Sequence, residues 1–255
     1  MTLRHQATID AVVPARDEAV TVAGVVAALQ GCRFVREVIV VDDGSVDATA
    51  DVAARAGAKV VSRDSRDSRG TGGSKALAMQ AGVAASDADG ILFADADLLG
   101  VTSEHFDAIC RPYLDGRATM SLGVFDYGRW NWLVVRFPPT TGERLLPRWV
   151  FEAVPPARRD GYLIEIMLNE VVTEARMPIC IRVMKGVTHR TKRDKFGWWD
   201  GSRRTWRMFW ELMALWGVCR WRTYWYYLRD VTIDREPGPP PWRPAPPPAG
   251  DARDR

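Results

Sequence analysis

The first hundred residues alternate between short apolar runs and stretches whose apolar positions recur at helical spacing. Val38–Val41 is the clearest predicted strand, because a short β-branched run that stops at acidic residues fits few other structures. Helical spacing between Glu18 and Gln30 predicts the first helix. Strands and helices in alternation indicate a mostly parallel central α/β sheet flanked by helices. Further predicted elements are strands at Ala7–Val13, at Ala58–Ser62 and just before Asp95, and helices at Asp47–Arg55 and Ser74–Ala85.

Beyond Leu98 the alternation fades and the predicted elements lie farther apart. They are helices at Ser103–Leu114 and around Glu165–Val172, and strands at Thr119–Phe125 and Ile179–Met184. We therefore predict one domain over residues 1–197, a helical Trp- and Arg-rich extension over 198–234, and a disordered Pro-rich tail over 235–255.

The predicted extension holds seven of the eleven tryptophans, interspersed with arginines, between residues 198 and 227. Tryptophan and arginine together suit the interface of a lipid bilayer. A helix that is apolar on several sides can also pack on the sheet or on a second subunit. A peripheral membrane contact and a homodimer are therefore both open at this stage.

Composition restricts the class of protein. A hydrophobic content of 47% in 255 residues is ample for a packed core, which excludes disorder of the whole chain. A net charge of +3 is too small for a dedicated nucleic-acid binder. The four cysteines are scattered without a CxxC pair, and no secretory signal or long apolar segment is evident. A cytoplasmic protein is expected, either free or on the inner face of the membrane.

Two carboxylates, Asp95 and Asp97, follow the apolar run that ends at Phe93. In an extended chain, residues two apart project to the same side. Two like charges so placed suit a divalent cation such as Mg²⁺ or Mn²⁺, which proteins hold with one or two carboxylates and the phosphates of a substrate. Aspartates are also common in turns, so a plain turn is the alternative.

Polar clusters are predicted at the ends of three strands of the same sheet: Arg16–Glu18, Asp42–Ser45, and Asp95 with Asp97. An open parallel sheet binds its ligands at the carboxyl ends of its strands. The glycine-rich GxGxxG turn of dinucleotide-binding domains is absent after the first strand, where Pro14–Glu18 stands instead. The convergence favours a functional site over isolated turns.

The sequences at Pro14–Glu18, Val40–Ser45 and Phe93–Leu98 resemble the successive signatures of nucleotide-sugar glycosyltransferases of the GT-A fold. The similarity is greatest to glucosyl-3-phosphoglycerate synthases and polyprenyl-phosphate sugar synthases. The resemblance implies a GT-A fold, a UDP- or GDP-sugar donor and a Mg²⁺ or Mn²⁺ cofactor.

The resemblance also implies roles for individual residues in the first half. Asp97 would bind the metal, and Asp95 would contact the ribose or sugar. A solvated lysine at a helix start is the alternative for Lys75, which matches a nucleotide-side lysine. The residues implied to contact the nucleotide are Pro14, Ala15, Arg16, Glu18, Asp43, Gly44, Ser45 and Lys75.

In the second half, Thr141–Arg144 and Asp160–Glu165 resemble the acceptor side of the family, and this implies substrate contacts for Arg144 and Tyr162. Glu165 would be a catalytic carboxylate that aligns the donor sugar or the acceptor hydroxyl, although a glutamate in the first turn of a helix can act through the helix dipole alone. His189 would complete the metal site. Arg190 and Lys192 would neutralise the departing diphosphate.

The hypothesis is a metal-dependent glycosyltransferase that moves a sugar from a nucleoside-diphosphate sugar to a phosphorylated small molecule or a lipid phosphate. Two alternatives stand beside it. One is a nucleotidyltransferase that forms the sugar nucleotide, and the other is an inactive membrane-surface protein of the same fold. A nucleotidyltransferase is disfavoured because its glycine-rich basic loop is missing after the first strand.

Overall fold

The apolar runs predicted as strands lie side by side in one mixed sheet. The computed structural model describes residues 7–63, 74–135, 140–159, 163–189 and 221–234. Its strands are β1 (Ile9–Ala15), β2 (Val35–Asp42), β3 (Lys59–Ser62), β4 (Gly90–Phe93), β5 (Leu98–Leu99), β6 (Met120–Phe125), β7 (Arg144–Pro147), β8 (Ile179–Met184), β9 (Thr188–His189) and β10 (Val231–Asp234). Eight of them form a sheet in the order β10-β8-β6-β7-β4-β1-β2-β3, and β5 pairs with β9 beside it.

The helices cover both faces of this sheet. They are α1 (Val22–Gln30), α2 (Thr49–Arg55), α3 (Lys75–Ala84), α4 (Ser103–Leu114), α5 (Asn131–Val134), α6 (Arg148–Ala153), α7 (Leu163–Glu174) and α8 (Trp221–Asp230). One buried cluster joins α1 and α4 to the sheet, and a second joins α3, α6 and α7 to its other face. The predicted α/β class, with a mostly parallel sheet between helices, is confirmed.

The long β-branched strands occupy the centre, as their composition predicts. β1 pairs in parallel with β2 on one side and with β4 on the other. Helix α3 packs closely on these strands through Gly82, where a Cβ would overlap the side chain of Val12 and lie 3.1 Å from Val41. This close packing directs the first residue of α3, Lys75, toward the carboxyl end of the sheet.

Strand β7 is the main element that the sequence did not predict. It runs antiparallel to both β4 and β6, whereas β6 pairs in parallel with β8. Its four residues, Arg144–Pro147, begin with an arginine and end with a proline, so hydrophobic periodicity gives no signal over so short a segment. Strands β5 and β9 have two residues each, so hydrophobic periodicity could not predict them either.

Residues 221–234, assigned from sequence to a separate extension, pack on the same domain. Tyr227 of α8 is fully buried, and its hydroxyl donates to the carbonyl of Val135 at 3.0 Å. Strand β10 then pairs in parallel with β8 and becomes the edge of the sheet. The remainder of the predicted extension and the tail lie outside the described residues. Among the described helices, none is both long and apolar enough to cross a membrane.

Candidate active site

The three predicted clusters do meet at one edge of the sheet. The last residue of β1, Ala15, pairs with the last residue of β2, Asp42, and the amide of Asp43 donates to the Ala15 carbonyl at 2.9 Å. On the other side of β1, the amide of Ala94 donates to Val12 at 3.2 Å. Parallel pairing therefore brings the loops after β1, β2 and β4 out side by side.

Residues 14–19 and 42–49, here called the paired loops, are joined by side-chain to backbone hydrogen bonds. The amide of Asp17 donates to the Ser45 hydroxyl at 3.0 Å, and the amide of Val46 donates to the Asp17 carboxylate at 2.8 Å. Asp17 has φ of 55°, in the left-handed region that Asp and Asn tolerate better than most residues. The turn at 16–18 is therefore fixed by its side chain as well as by its backbone.

A second set of bonds fixes the start of α1 to the start of α2. The amide of Glu18 donates to the Thr49 hydroxyl at 2.8 Å, and the amide of Ala19 donates to Asp47 at 3.1 Å. Burial opposes ionisation of Asp47, but hydrogen bonds from Thr49 and Ala19 outweigh it and lower the pKa of Asp47 below its usual value. The predicted helix consequently begins at Val22, because residues 18–21 form this turn.

Asp43, predicted to contact the nucleotide, is buried and forms an ion pair with Arg63. Arg63 follows β3 directly, and its amide donates to the carbonyl of Asp42 at 2.9 Å. Sequence reasoning missed Arg63 because it fell at the start of a segment read as a loop. Its position after a strand of the same parallel sheet is the signal that could have identified it. Arg16, in the neighbouring turn, lies 4.0 Å from the Asp17 carboxylate, and its side chain is 41% exposed.

Lys75 is an internal cation of the site, not a solvated lysine. Its Nζ lies 2.6 Å from Oδ1 of Asp95 and 2.7 Å from Oε1 of Glu165. Burial alone would lower the pKa of Lys75, but the two carboxylates outweigh it and raise the pKa above its usual value. One amino group thus joins α3, the loop after β4 and α7, and it contacts Glu165, which is only 2% exposed.

Asp97 and His189 are brought together by the pairing of two very short strands. β5 begins immediately after Asp97, and its Leu98 pairs with His189 of β9. Burial raises the pKa of Asp97 and the charge of Asp95 raises it further, whereas His189 and Lys75 act in the opposite direction. The Asp97 carboxylate therefore lies where a cation is favourable, with an imidazole beside it.

Glu143 is a site residue that the sequence analysis did not select. Burial first, and then the charge of Asp95, raises the pKa of Glu143 to about 7. Asp95 also packs against Gly142, where a Cβ would overlap its carboxylate. The Thr141 hydroxyl has one proton but contacts two acceptors, the Gly123 carbonyl at 2.7 Å and the Glu143 carboxyl group. A protonated Glu143 that donates to Thr141 satisfies both contacts.

Arg144, predicted to bind substrate, is fully buried in the structure. Its guanidinium donates to the carbonyl of Thr141 at 3.0 and 2.5 Å, to the carbonyl of Glu165 at 3.1 Å and to the side chain of Asn169 at 3.3 Å. A side chain with no exposed surface does not contact a substrate in this conformation. Arg144 instead holds the Thr141–Gly142 segment against the helix that carries Glu165.

Together, Lys75, Asp95, Glu143, Arg144 and Glu165 form what we call the charge cluster. With Glu143 protonated, two carboxylates balance two cations.

Three other predicted site residues, Tyr162, Arg190 and Lys192, lie outside the described residues. No group of three or more His, Cys, Asp or Glu side chains within the described ranges could surround a metal ion. A metal here would take Asp97 and His189 and complete its shell with ligand oxygens.

The fold and this edge of the sheet define a glycosyltransferase. The profile of glycosyl transferase family 2 matches residues 10–161, more than half of the chain. The chain belongs to this family, as the resemblance implied. The nucleotidyltransferase alternative is accordingly not supported. No curated protein sequence gives a significant match.

Solved structures agree with the family. Glucosyl-3-phosphoglycerate synthase from Mycobacterium tuberculosis in complex with phosphoglyceric acid is 27% identical, with a TM-score of 0.60 and 72% of each chain covered. The same figures hold for that enzyme in complex with Mn²⁺, UDP-glucose and phosphoglyceric acid. A mycobacterial protein is 29% identical, with a TM-score of 0.61 over 72% of this chain and 67% of its own.

Proposed function

We propose that this chain transfers a hexosyl group from UDP-glucose or a related nucleoside-diphosphate sugar to a phosphorylated acceptor, with Mn²⁺ or Mg²⁺ bound. The observation that carries the proposal is the pairing of Leu98 with His189, which brings the imidazole near enough to Asp97 for its charge to act on that carboxyl group. The M. tuberculosis enzyme, which has the same fold, has been solved with Mn²⁺ and UDP-glucose. Asp95, Lys75 and Glu165 lie at the same edge.

The paired loops are the proposed nucleotide side of this site. Asp43 and Arg63 present an acceptor and a donor next to each other, which suits the edge of a pyrimidine ring with both kinds of group. The backbone fixed by Asp17 and Ser45 forms the adjoining wall. Pro14, Ala15 and Gly44 add backbone surface that a base and ribose can approach closely.

The donor set of Asp97 and His189 fits a hard or borderline divalent cation, since carboxylate and imidazole both bind Mn²⁺. Such a cation would neutralise charge that develops on the diphosphate as it leaves. Asp97 and His189 would hold this cation, and we propose that Arg190 and Lys192 neutralise the same diphosphate. The acceptor oxygen bonds to the anomeric carbon, the bond from that carbon to the diphosphate breaks, and the proton of the acceptor hydroxyl passes to the departing diphosphate.

The charge cluster orients the reacting sugar in this proposal. Lys75 fixes Asp95 and Glu165 relative to each other, so both carboxylates keep one position when a sugar binds. A sugar hydroxyl is a natural donor to an ordered carboxylate such as that of Asp95, whose side chain is 33% exposed. Preorganisation of this kind lowers the barrier, because the groups need not reorganise during the reaction.

The proposed acceptor is inferred from the ligand of the related solved structure, and it is the most specific part of the proposal. Phosphoglyceric acid binds to the related M. tuberculosis enzyme, so a phosphorylated carboxylic acid is the first choice. A lipid phosphate is the second, because Tyr127, Trp130 and Trp132, just beyond β6, are about half exposed. Strand β6 is parallel to β4 through two antiparallel pairings with β7, so this aromatic segment follows the same edge of the sheet.

A donor and acceptor screen tests the proposal. UDP- and GDP-sugars are incubated with Mn²⁺ or EDTA, and released nucleoside diphosphate is measured with 3-phosphoglycerate, with a short polyprenyl phosphate in detergent, or with neither. Release that requires both Mn²⁺ and one acceptor is expected. An absence of metal-dependent release with every donor would refute the enzymatic proposal and leave the inactive protein of the same fold.

A further inference from the structure

The strand that carries His189 is too short to fix it unaided. β9 consists of Thr188 and His189, both exposed, and it pairs with the two residues of β5. An isolated pair of strands is marginal in water even when it is longer than this. Other contacts must therefore keep His189 beside Asp97.

The turn before β9 packs closely on the chain just after β5. Gly186 in this turn has φ of 77°, and Gly100 has φ of 72°. A Cβ at Gly100 would lie 2.5 Å from the Gly186 carbonyl oxygen. Val187, next along, is 3% exposed and belongs to the core. The two backbones are thus in contact, and a small shift of the turn would carry His189 away from Asp97.

His105 connects this turn to helix α4. Its Nε2 lies 3.1 Å from the carbonyl oxygen of Lys185. Its Nδ1 accepts from the amide of Thr102 at 3.1 Å, so Nδ1 carries no proton in this arrangement. The proton of the neutral ring is then on Nε2, which donates to Lys185. Both ring nitrogens are engaged, one with the cap of α4 and the other with the turn.

Helix α4 is a firm support for such a contact. It spans twelve residues and buries Phe106, Ile109 and Cys110 against the core. We infer that His105 is a positioning residue, which fixes the 185–187 turn against α4 and so keeps His189 in place for metal binding. The inference rests on the proposed function, and it assigns a role to a residue outside the site itself.

The alternative is that His105 only caps α4. A cap contributes to the stability of the helix whether or not a metal is bound. A positioning role instead predicts a change in metal affinity that is separable from stability. Two substitutions separate them, because the amide of asparagine lies near the position of Nδ1, whereas the amide of glutamine reaches the position of Nε2.

The experiment compares wild type, His105→Asn, His105→Gln and His189→Ala. Free Mn²⁺ is measured by electron paramagnetic resonance during titration with saturating UDP, and melting temperatures are measured in EDTA. His105→Asn keeps the cap but loses Lys185, so we expect its Kd for Mn²⁺ to rise about five- to tenfold at a near-normal melting temperature. His105→Gln should melt lower yet bind Mn²⁺ within about twofold of wild type, since an amide donor replaces Nε2–H.

Equal Mn²⁺ affinities in wild type and His105→Asn would overturn the inference, as would affinities that simply follow the melting temperatures. Should His105→Asn fail to fold, His105→Ala takes its place beside His105→Gln, since both lack the cap and only glutamine reaches Lys185: weaker Mn²⁺ binding in His105→Ala supports a positioning role, and equal affinities overturn it. Failure of the proposed function has a different signature. Wild type would then show no UDP-dependent Mn²⁺ binding that His189→Ala removes, and the inference would fall with it.

Discussion

The paired loops and the charge cluster form adjacent parts of one site but are held together differently. In the paired loops, short polar side chains such as Asp17 and Asp47 bond to backbone amides fewer than 30 residues away. In the charge cluster, Lys75 joins Glu165 across 90 positions of sequence, and both partners are largely shielded from water. The loops therefore lose little when one bond is removed, whereas the cluster loses a great deal when one charge is removed.

Removal of the Lys75 charge is the severest test of this difference. Lys75→Met leaves Asp95 and Glu165 without their shared cation, so we expect a loss of about 3–5 kcal/mol in the free energy of unfolding. Turnover should fall at least a hundredfold, by the order of magnitude that a small misplacement costs. Urea unfolding and released diphosphate measure the two effects.

Lys59→Met is the matched control for that substitution. Lys59 lies 3.2 Å from Glu37 with both side chains more than 40% exposed, so its loss should cost less than about 1 kcal/mol. Equal effects of the two substitutions would erase the distinction between the two regions.

Arg144 provides the second test, because its hydrogen bonds go mainly to carbonyl oxygens. Arg144→Lys keeps the charge but cannot make the paired bonds to Thr141, so the free energy of unfolding should fall by about 2 kcal/mol. The same change at Arg117, which is 54% exposed, should have no measurable effect in the same chemical denaturation. An unchanged free energy of unfolding in Arg144→Lys would mean that other contacts hold the Thr141–Gly142 segment.

Glu143 makes the comparison dependent on pH. Its pKa is raised from 4.5 to about 7, so its contribution to stability is full below pH 4.5 and is lost as the pH rises through about 7. Relative to wild type, Glu143→Gln should gain about 2 kcal/mol in unfolding free energy between pH 5 and pH 8. Thermal melts across this range check it. A difference that does not change with pH would contradict the protonated Glu143 carboxyl.

Asp47 represents the paired loops, and its effect should be the smallest. Its pKa is lowered, so its contribution is present above the unfolded value of 3.8 and is lost as the pH falls through the lower pKa of the folded state. Asp47→Ala should cost about 1 kcal/mol at neutral pH, and the difference should shrink in acid. Asp51→Ala, one turn into α2, controls for the helix. A cost at Asp47 as large as that of Lys75→Met would show that the loops are as intolerant as the cluster.

The contrast also explains what the sequence could and could not predict. Hydrophobic periodicity located Ser103–Leu114 and Ile179–Met184 with the bounds that the structure gives, and the strand-end clusters located the site. Long apolar runs and helical spacing are local properties, so they can be recognised in a single sequence.

The parts that could not be predicted depend on contacts between distant segments. β7 is a strand because it lies between β4 and β6, not because its own residues favour one. Glu143 has an unusual pKa because the fold sets it near Asp95, and nothing in its own segment indicates this. The prediction that Arg144 contacts substrate was wrong because its burial also depends on distant segments. An arginine in a matching motif gives no sign that it is buried.

Metal-dependent release of UDP from UDP-glucose, in wild type and in Asp97→Ala, tests the central claim most directly. Each protein is assayed with the acceptor found in the screen, in Mn²⁺ and in EDTA, after circular dichroism has shown that both are folded. We predict that wild type releases UDP in Mn²⁺ but not in EDTA, and that Mn²⁺ does not stimulate release by Asp97→Ala. An Asp97→Ala protein with unchanged metal-dependent turnover would contradict the account.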